Sequence, residues 1–222
     1  MILLISIFIS ISLLTETIGV YFRLVGSINN KPTTGYSIHV RVATLGRFFT
    51  FLSAPSLGYI VDKGCSSKDI ALIGSITFFL VFIFGLLFSR ATSLINFGYS
   101  KFTRSDDFTR ISKRDIQNKS KSKNIKFLII VAASFLTTAI GVILVNYLAP
   151  IFTEFRATIV QTTALITAFG TLIHVFIVDP KLAKAGDDDT NLLSCLVQEF
   201  VIARVYISLL LSLMFLFIYI YK

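Results

Sequence analysis

Six apolar stretches, each close to the length needed to cross a lipid bilayer, dominate this chain of 222 residues. A transmembrane α-helix needs about 20 mostly apolar residues. Hydrophobic residues make up 55% of the chain and charged residues 15%, whereas soluble domains carry about 25% charge. The sequence therefore predicts an all-α membrane protein with about six transmembrane helices. Their expected ranges are 2–22, 36–60, 69–88, 127–148, 157–178 and 192–221.

Basic residues are concentrated in one hydrophilic segment, residues 90–126, which holds ten Lys or Arg against three Asp. This composition predicts a solvated loop. Basic loops stay in the cytoplasm, so we place this segment on the inner side. Fourteen basic residues then lie on the inner side and four on the outer side, and both termini are expected outside. The first stretch has no basic leader and no cleavage site, so we expect it to be retained as a helix. Topology and contact with anionic lipids thus explain the net charge of +9 without nucleic acid.

The second apolar stretch contains two arginines, Arg41 and Arg47. An arginine at the middle of a membrane costs about 2.5–3.5 kcal/mol, so such side chains face a protein-lined or hydrated interior. Because guanidinium groups suit phosphate oxygens, this helix is interpreted as the wall of a path for an anionic substrate. Two alternatives stay open. Arg41 could extend to the membrane surface, and Arg47 could form a structural ion pair with Glu16.

Other charged and helix-bending residues also lie inside the apolar stretches. Glu16 is interpreted as a counter-ion to Arg47 or a proton-coupling group, with a hydrogen-bonded packing acid as the alternative. Glu199 and Arg204 add an acid and a base whose spacing of five does not favour a pair along one helix. Pro55 and Gly58 predict a hinge late in the second helix, or a static bend.

The chain lacks the common catalytic and metal-binding patterns. It contains no serine nucleophile elbow, no zinc-protease motif and no glycine-rich phosphate loop. His39 and His174 are expected to be polar packing groups, and Cys65 and Cys195 to be free thiols. The acidic run 187–189 predicts a solvated turn or a helix cap. We therefore expect no enzyme activity, no cofactor and no metal site.

Short motifs recur in the same order in the two parts of the chain, which suggests an internal duplication. The pairs are 18–20 with 140–142, 41–44 with 156–158, and 61–63 with 178–181. A duplicated three-helix unit has to insert in opposite directions, as in transporters built from inverted repeats. The expected division is a first three-helix half, 1–90, a basic cytoplasmic loop, 91–126, and a second half, 127–222.

These motifs also carry a resemblance to a known family. They are Arg23-Leu-Val-Gly26, Gly46-Arg47, Ala54-Pro55-Ser-Leu-Gly58, Val61-Asp62-Lys63, Arg156-Ala-Thr158, Gln161 and Val178-Asp179-Pro180-Lys181. In order and spacing the chain resembles the alternate lipid II flippase (Amj-type) family. It departs from the family pattern at 27–34, at 39–42 and in the Lys- and Ser-rich insert. These departures leave open whether lipid II or a capsule or O-antigen unit is carried.

The resemblance implies a bacterial plasma-membrane protein that moves an undecaprenyl-pyrophosphate-linked sugar across the bilayer. In that role Arg41 and Arg47 would neutralise the pyrophosphate, Arg23 and Arg156 would guard the two mouths, and Glu16 would hold the arginines in place. The alternatives are a secondary transporter of a small soluble anion, a membrane-embedded enzyme of lipid metabolism, and a non-catalytic membrane subunit.

Overall fold

The computed structural model describes residues 1–104, 108–112, 115 and 124–221, and within these ranges every regular element is helical. A short 3₁₀ turn, Thr153–Phe155, precedes the sixth helix, and a π-helical turn, His174–Val178, follows it. The helices are α1 Ile2–Ile28, α2 Pro32–Asp62, α3 Ser67–Arg90, α4 Thr92–Thr103, α5 Ile125–Leu148, α6 Arg156–Ile173, α7 Asp179–Asp188 and α8 Thr190–Tyr221.

Five of these segments are long and apolar enough to cross a membrane: α1, α3, α5, α8 and the continuous segment Thr153–Asp188. The sixth long helix, α2, has 31 residues and would span about 46 Å, but it is not apolar enough to join them. Its composition is more polar because it carries Arg41, Arg47 and His39. The predicted fold class, an all-α membrane protein of about six long helices, is confirmed.

Local sequence signals fix where several helices begin. Pro32 occupies the first position of α2, where a missing backbone N–H costs nothing. A capping box joins Ser66 and Asp69 at the start of α3. The side chain of Asn124 accepts a hydrogen bond from the first turn of α5. The turn before α3 includes Gly64 with φ of +85°, a backbone conformation that glycine adopts without strain.

The helices pack with α1 at the centre, against α2, α3 and α8, while α5 packs on α6 and α8. Serine hydroxyls join neighbouring helices: Ser10 donates to the carbonyl of Thr77 at 3.0 Å, and Ser212 donates to that of Ser75 at 2.9 Å. Such bonds and close backbone approach hold helices together where lipid provides no hydrophobic driving force. Two apolar clusters fill the bundle at its two ends. One surrounds Phe22 and Phe200, and the other surrounds Phe78, Phe135 and Phe215.

A close backbone contact between helices lies near the α1–α2 turn, where Gly26 meets Gly35. A Cβ added at Gly35 would lie 2.5 Å from the carbonyl oxygen of Phe22 and 2.9 Å from the Cα of Gly26. We expect Gly35→Ala to destabilise the purified protein by about 1–3 kcal/mol, the range for overpacking, as measured by thermal unfolding in detergent. Gly58→Ala is the control, because an added Cβ there has no neighbour within 4 Å. Equal stability of the two variants would contradict this packing.

The hydrophilic segment predicted as a solvated loop begins instead with a folded helix, α4. Ile95 and Tyr99 of this helix are buried in the core, and Tyr99 packs on Phe108 with ring centroids 5.1 Å apart. These apolar residues, spaced four apart, give the segment one face that can pack on α1. The rest of the predicted loop, residues 105–107, 113–114 and 116–123, lies outside the described residues.

The connection before the last long helix also differs from the prediction. The sequence predicts that the fifth helix ends at residue 178 and that an acidic loop follows at 186–189, but Asp179–Asp188 is helical, with Pro180 in the first turn. Asp189 accepts a hydrogen bond from the backbone of Asn191 at 2.8 Å, so it caps the start of α8 as expected. Pro55 lies inside α2, which is continuous to Asp62. A hinge at Pro55 and Gly58, the inverted repeat and the division into halves stay predictions.

Candidate functional site

A polar cavity of about 120 Å³ lies between α1 and α2 on one side and α5, α6, the π-helical turn and α8 on the other. Three of its charged residues, Glu16, Arg47 and Arg204, are close to the midpoints of their long helices. We call this polar cavity the central cavity. Its lining residues are Glu16, Arg23, His39, Val40, Ala43, Thr44, Arg47, Ser134, Thr138, Thr171, His174, Val175, Asp179 and Arg204.

Arg204 is almost fully buried at the centre of the bundle. Its Nη1 lies 3.3 Å from a carboxylate oxygen of Glu16, whose side chain is 28% exposed. The guanidinium carbon lies 4.4 Å from the ring centroid of Phe200 and 5.1 Å from that of Phe135. These rings provide cation–π stabilisation for the buried guanidinium group. The pair thus joins α1 to α8 at mid-depth.

Arg23 is the second buried arginine, and three groups hold it. Its Nη2 lies 2.5 Å from Oδ1 of Asp179, its Nε donates to Nδ1 of His39 at 2.7 Å, and its guanidinium lies 4.6 Å from the ring centroid of Tyr36. Since arginine only donates, Nδ1 of His39 accepts and carries no proton. Arg23 is therefore fixed between α1, α2 and the start of α7.

The π-helical turn brings His174 to the same carboxylate. Its Nε2 lies 3.5 Å from Oδ1 of Asp179, and its ring packs edge-on against Phe200. Single π-helical turns inside α-helices occur often at functional sites. Here the turn places a histidine and an aspartate, five residues apart, on the same side of the bundle.

Arg47 enters the central cavity from α2. Val40, Ala43, Thr44 and Arg47 form one stripe of that helix along the cavity wall. Gly46, beside this stripe, packs so closely on Thr15 that a larger residue would collide with it. Within the described ranges Arg47 forms no ion pair. The expected pairing of Glu16 with Arg47 is wrong, because Glu16 pairs with Arg204.

The charges of the central cavity favour an anion. Three arginines face two carboxylates, those of Glu16 and Asp179. Among the described residues, Nη1 of Arg23 and Nε of Arg204 are buried donors without a hydrogen-bond partner. Buried donors of this kind are costly unless a ligand or water satisfies them. The hydroxyls of Ser134, Thr138 and Thr171 also line this space. The geometry suits a small anionic group with several oxygens.

The structure places the other predicted site residues outside the central cavity. Arg41 is exposed and lines a separate shallow cavity beside Phe102. Arg156, at the start of α6, pairs with Asp62 at 2.7 Å near the opposite end of the bundle. Glu199 accepts a hydrogen bond from the backbone of Asn124 at 2.6 Å, where α5 begins. Neither Pro55 nor Gly58 lines the cavity.

Sequence reasoning missed Asp179 and assigned His39 and His174 to packing. Asp179 belongs to a motif that recurs in the sequence, so a signal existed, but the residue was placed in a loop. The contact between His39 and Arg23 joins residues sixteen apart on two helices, and sequence spacing does not predict such a contact. The described residues contain no group of three or more His, Cys, Asp or Glu positioned to hold a metal ion.

The fold and this site define a polytopic helical membrane protein with a cavity lined by charged residues inside its bundle. Residues 87–215 match the family described as Amj, Alternate to MurJ. The match covers more than half of the chain, which therefore belongs to this family, and the resemblance seen in the sequence is confirmed. The family implies a transporter rather than an enzyme. Searches of curated proteins and of solved structures found no match.

Proposed function

We propose that this protein is a flippase for an undecaprenyl-pyrophosphate-linked sugar, lipid II or a related lipid-linked oligosaccharide, in the bacterial plasma membrane. The observation that carries this proposal is the central cavity, where three arginines face two carboxylates. Two of these arginines, Arg47 and Arg204, lie near the midpoints of their long helices. Placing guanidinium groups at that depth is expensive, and such residues mark substrate paths. The family supports a lipid-linked substrate.

The arrangement suits a pyrophosphate head. Among the described residues Arg47 has no ion-pair partner, and guanidinium groups bind phosphate oxygens two at a time. Glu16 and Asp179 hold Arg204 and Arg23 in position while the cavity is empty. When a pyrophosphate enters, the unpartnered donors of Arg23 and Arg204 can complete its coordination. The carboxylates thus act as internal counter-ions that preorganise the site.

An apolar tail can stay in the membrane while the head is inside. In the described part of the second half, α6 is packed loosely, and Gly170 is its one buried residue. The α2 stripe, Thr171 of α6 and Val175 of the π-helical turn line the same cavity. The lipid tail would leave between α2 and α6. The Asp62–Arg156 pair would guard the mouth at one end of this opening, and Arg23 the mouth at the other.

Charge sets the proposed orientation. Arg90, Lys101 and Arg104 lie in or beside α4, at the end of the bundle assigned to the cytoplasm, where they would contact anionic lipids. Both termini then lie outside. The proposed division is a first half, 1–90, a basic segment, 91–126, and a second half, 127–222.

The proposal is tested in proteoliposomes loaded with fluorescent lipid II. We expect the purified protein to make lipid in the inner leaflet accessible to an external quencher, while empty liposomes stay protected. Inorganic pyrophosphate trapped inside the same vesicles should not escape. Release of pyrophosphate without lipid movement would instead identify a transporter of a small soluble anion, and movement of neither would contradict a transport role.

A further inference from the structure

A second cavity, of about 330 Å³, adjoins the central cavity at its α7 end and shares two wall residues with it, Arg23 and Asp179. We call it the vestibule. Its residues come from the end of α1, the start of α2, from α7 and from the start of α8. They are Arg23, Pro32, Thr33, Tyr36, Asp179, Pro180, Leu182, Ala183, Gly186, Asp187 and Leu193.

The vestibule differs from the central cavity in charge. Its carboxylates, Asp179 and Asp187, outnumber its one arginine. A second phosphate would meet this net negative charge and be repelled. A neutral ligand with many hydroxyl groups would not, because each hydroxyl can donate a hydrogen bond to a carboxylate. The polar chemistry of the vestibule therefore suits a polyol.

The apolar part of the vestibule supports the same ligand class. Tyr36 is 47% exposed, and Arg23 lies over its ring at 4.6 Å. An aromatic ring, together with Leu182 and Pro180, provides a surface for the C–H faces of a sugar ring. The hydroxyls of Thr33 and Tyr36 add groups that both donate and accept.

Arg23 and Asp179 form the wall that the two cavities share, so a ligand group in one cavity lies next to a ligand group in the other. Arg23 presents an unpartnered donor, Nη1, and its ion pair with Asp179 separates the two cavities. An anion bound at Arg23 would have the vestibule directly beside it. We propose that the vestibule binds the sugar joined to the pyrophosphate, so that the protein selects a glycosyl pyrophosphate lipid over the bare polyprenyl pyrophosphate. This inference rests on the proposed function.

The test compares two lipids bound to the full-length protein in nanodiscs: polyprenyl pyrophosphate, and the same lipid carrying one neutral sugar. We expect the wild type to bind the glycosylated lipid about tenfold more tightly, the gain from one or two hydrogen bonds. The double variant Thr33→Val, Asp187→Asn should lose this preference and keep its affinity for the bare lipid. Asp188→Asn is the matched control, because Asp188 is exposed on the same helix and does not line the vestibule.

Equal affinity of the wild type for the two lipids would overturn the vestibule assignment and leave the proposed function intact. A double variant with equally reduced affinity for both lipids would also overturn it, since Thr33 and Asp187 would then not contact the sugar. If the wild type binds neither lipid, the proposed function itself fails.

Discussion

Arg47→Ala should abolish complementation in a bacterial strain that lacks its other lipid II flippases, while the protein still inserts. In proteoliposomes we expect the flipping rate to fall at least tenfold, roughly the loss of a charged hydrogen-bonding group. Arg47 has this effect because it lines the central cavity and has no ion pair among the described residues. Its donors are therefore available to the substrate.

Arg41→Ala is the matched control for this prediction. The two arginines are both exposed on the same helix, but Arg47 lines the central cavity and Arg41 does not. We expect Arg41→Ala to complement nearly as well as the wild type. Normal growth with Arg47→Ala, or equal loss with both variants at equal protein levels, would remove Arg47 from the site.

The second large effect is expected for variants of the Glu16–Arg204 pair. A single variant should lose stability, whereas a double variant should be stable and yet lose transport. Arg204→Met leaves the Glu16 carboxylate without its partner. Breaking a buried pair costs about 3–5 kcal/mol, and the partial exposure of Glu16 places this variant near the lower limit. We expect a clear drop in the unfolding temperature of the detergent-solubilised protein.

The double variant Glu16→Gln, Arg204→Met removes both charges together. Methionine packs well between the rings of Phe135 and Phe200, so we expect stability close to that of the wild type. Flipping should stay lost, because a cationic donor of the central cavity is missing. A double variant that is stable and flips lipid at the normal rate would show that this pair serves only the fold.

The sequence predicted the spans and four of the residues that line the central cavity better than it predicted the contacts between them. Hydrophobic runs locate helices because the bilayer requires about 20 apolar residues of each. The depth of Arg47 could be predicted for the same reason. The partner of Glu16 could not, because Arg204 is 188 residues away and the choice between two arginines depends on how α8 packs against α1.

The helices α4 and α7 show a second limit. The basic residues in and around α4 led to the prediction of a solvated loop. The apolar pair Ile95 and Tyr99 is buried nonetheless, and this burial depends on contacts with α1. In α7 the aspartates and Pro180 indicated a loop, yet proline is well tolerated in the first turn of a helix. That helix positions Asp179, so missing it concealed the partner of Arg23.

The proposed flippase function requires the anionic head of the lipid to bind inside the bundle. An experimental structure in nanodiscs with a polyprenyl pyrophosphate sugar tests this most directly. We expect the pyrophosphate to lie within hydrogen-bonding distance of Arg23, Arg47 and Arg204. Density for the head at Arg41 or Arg156 on the surface, with the central cavity empty, would contradict it.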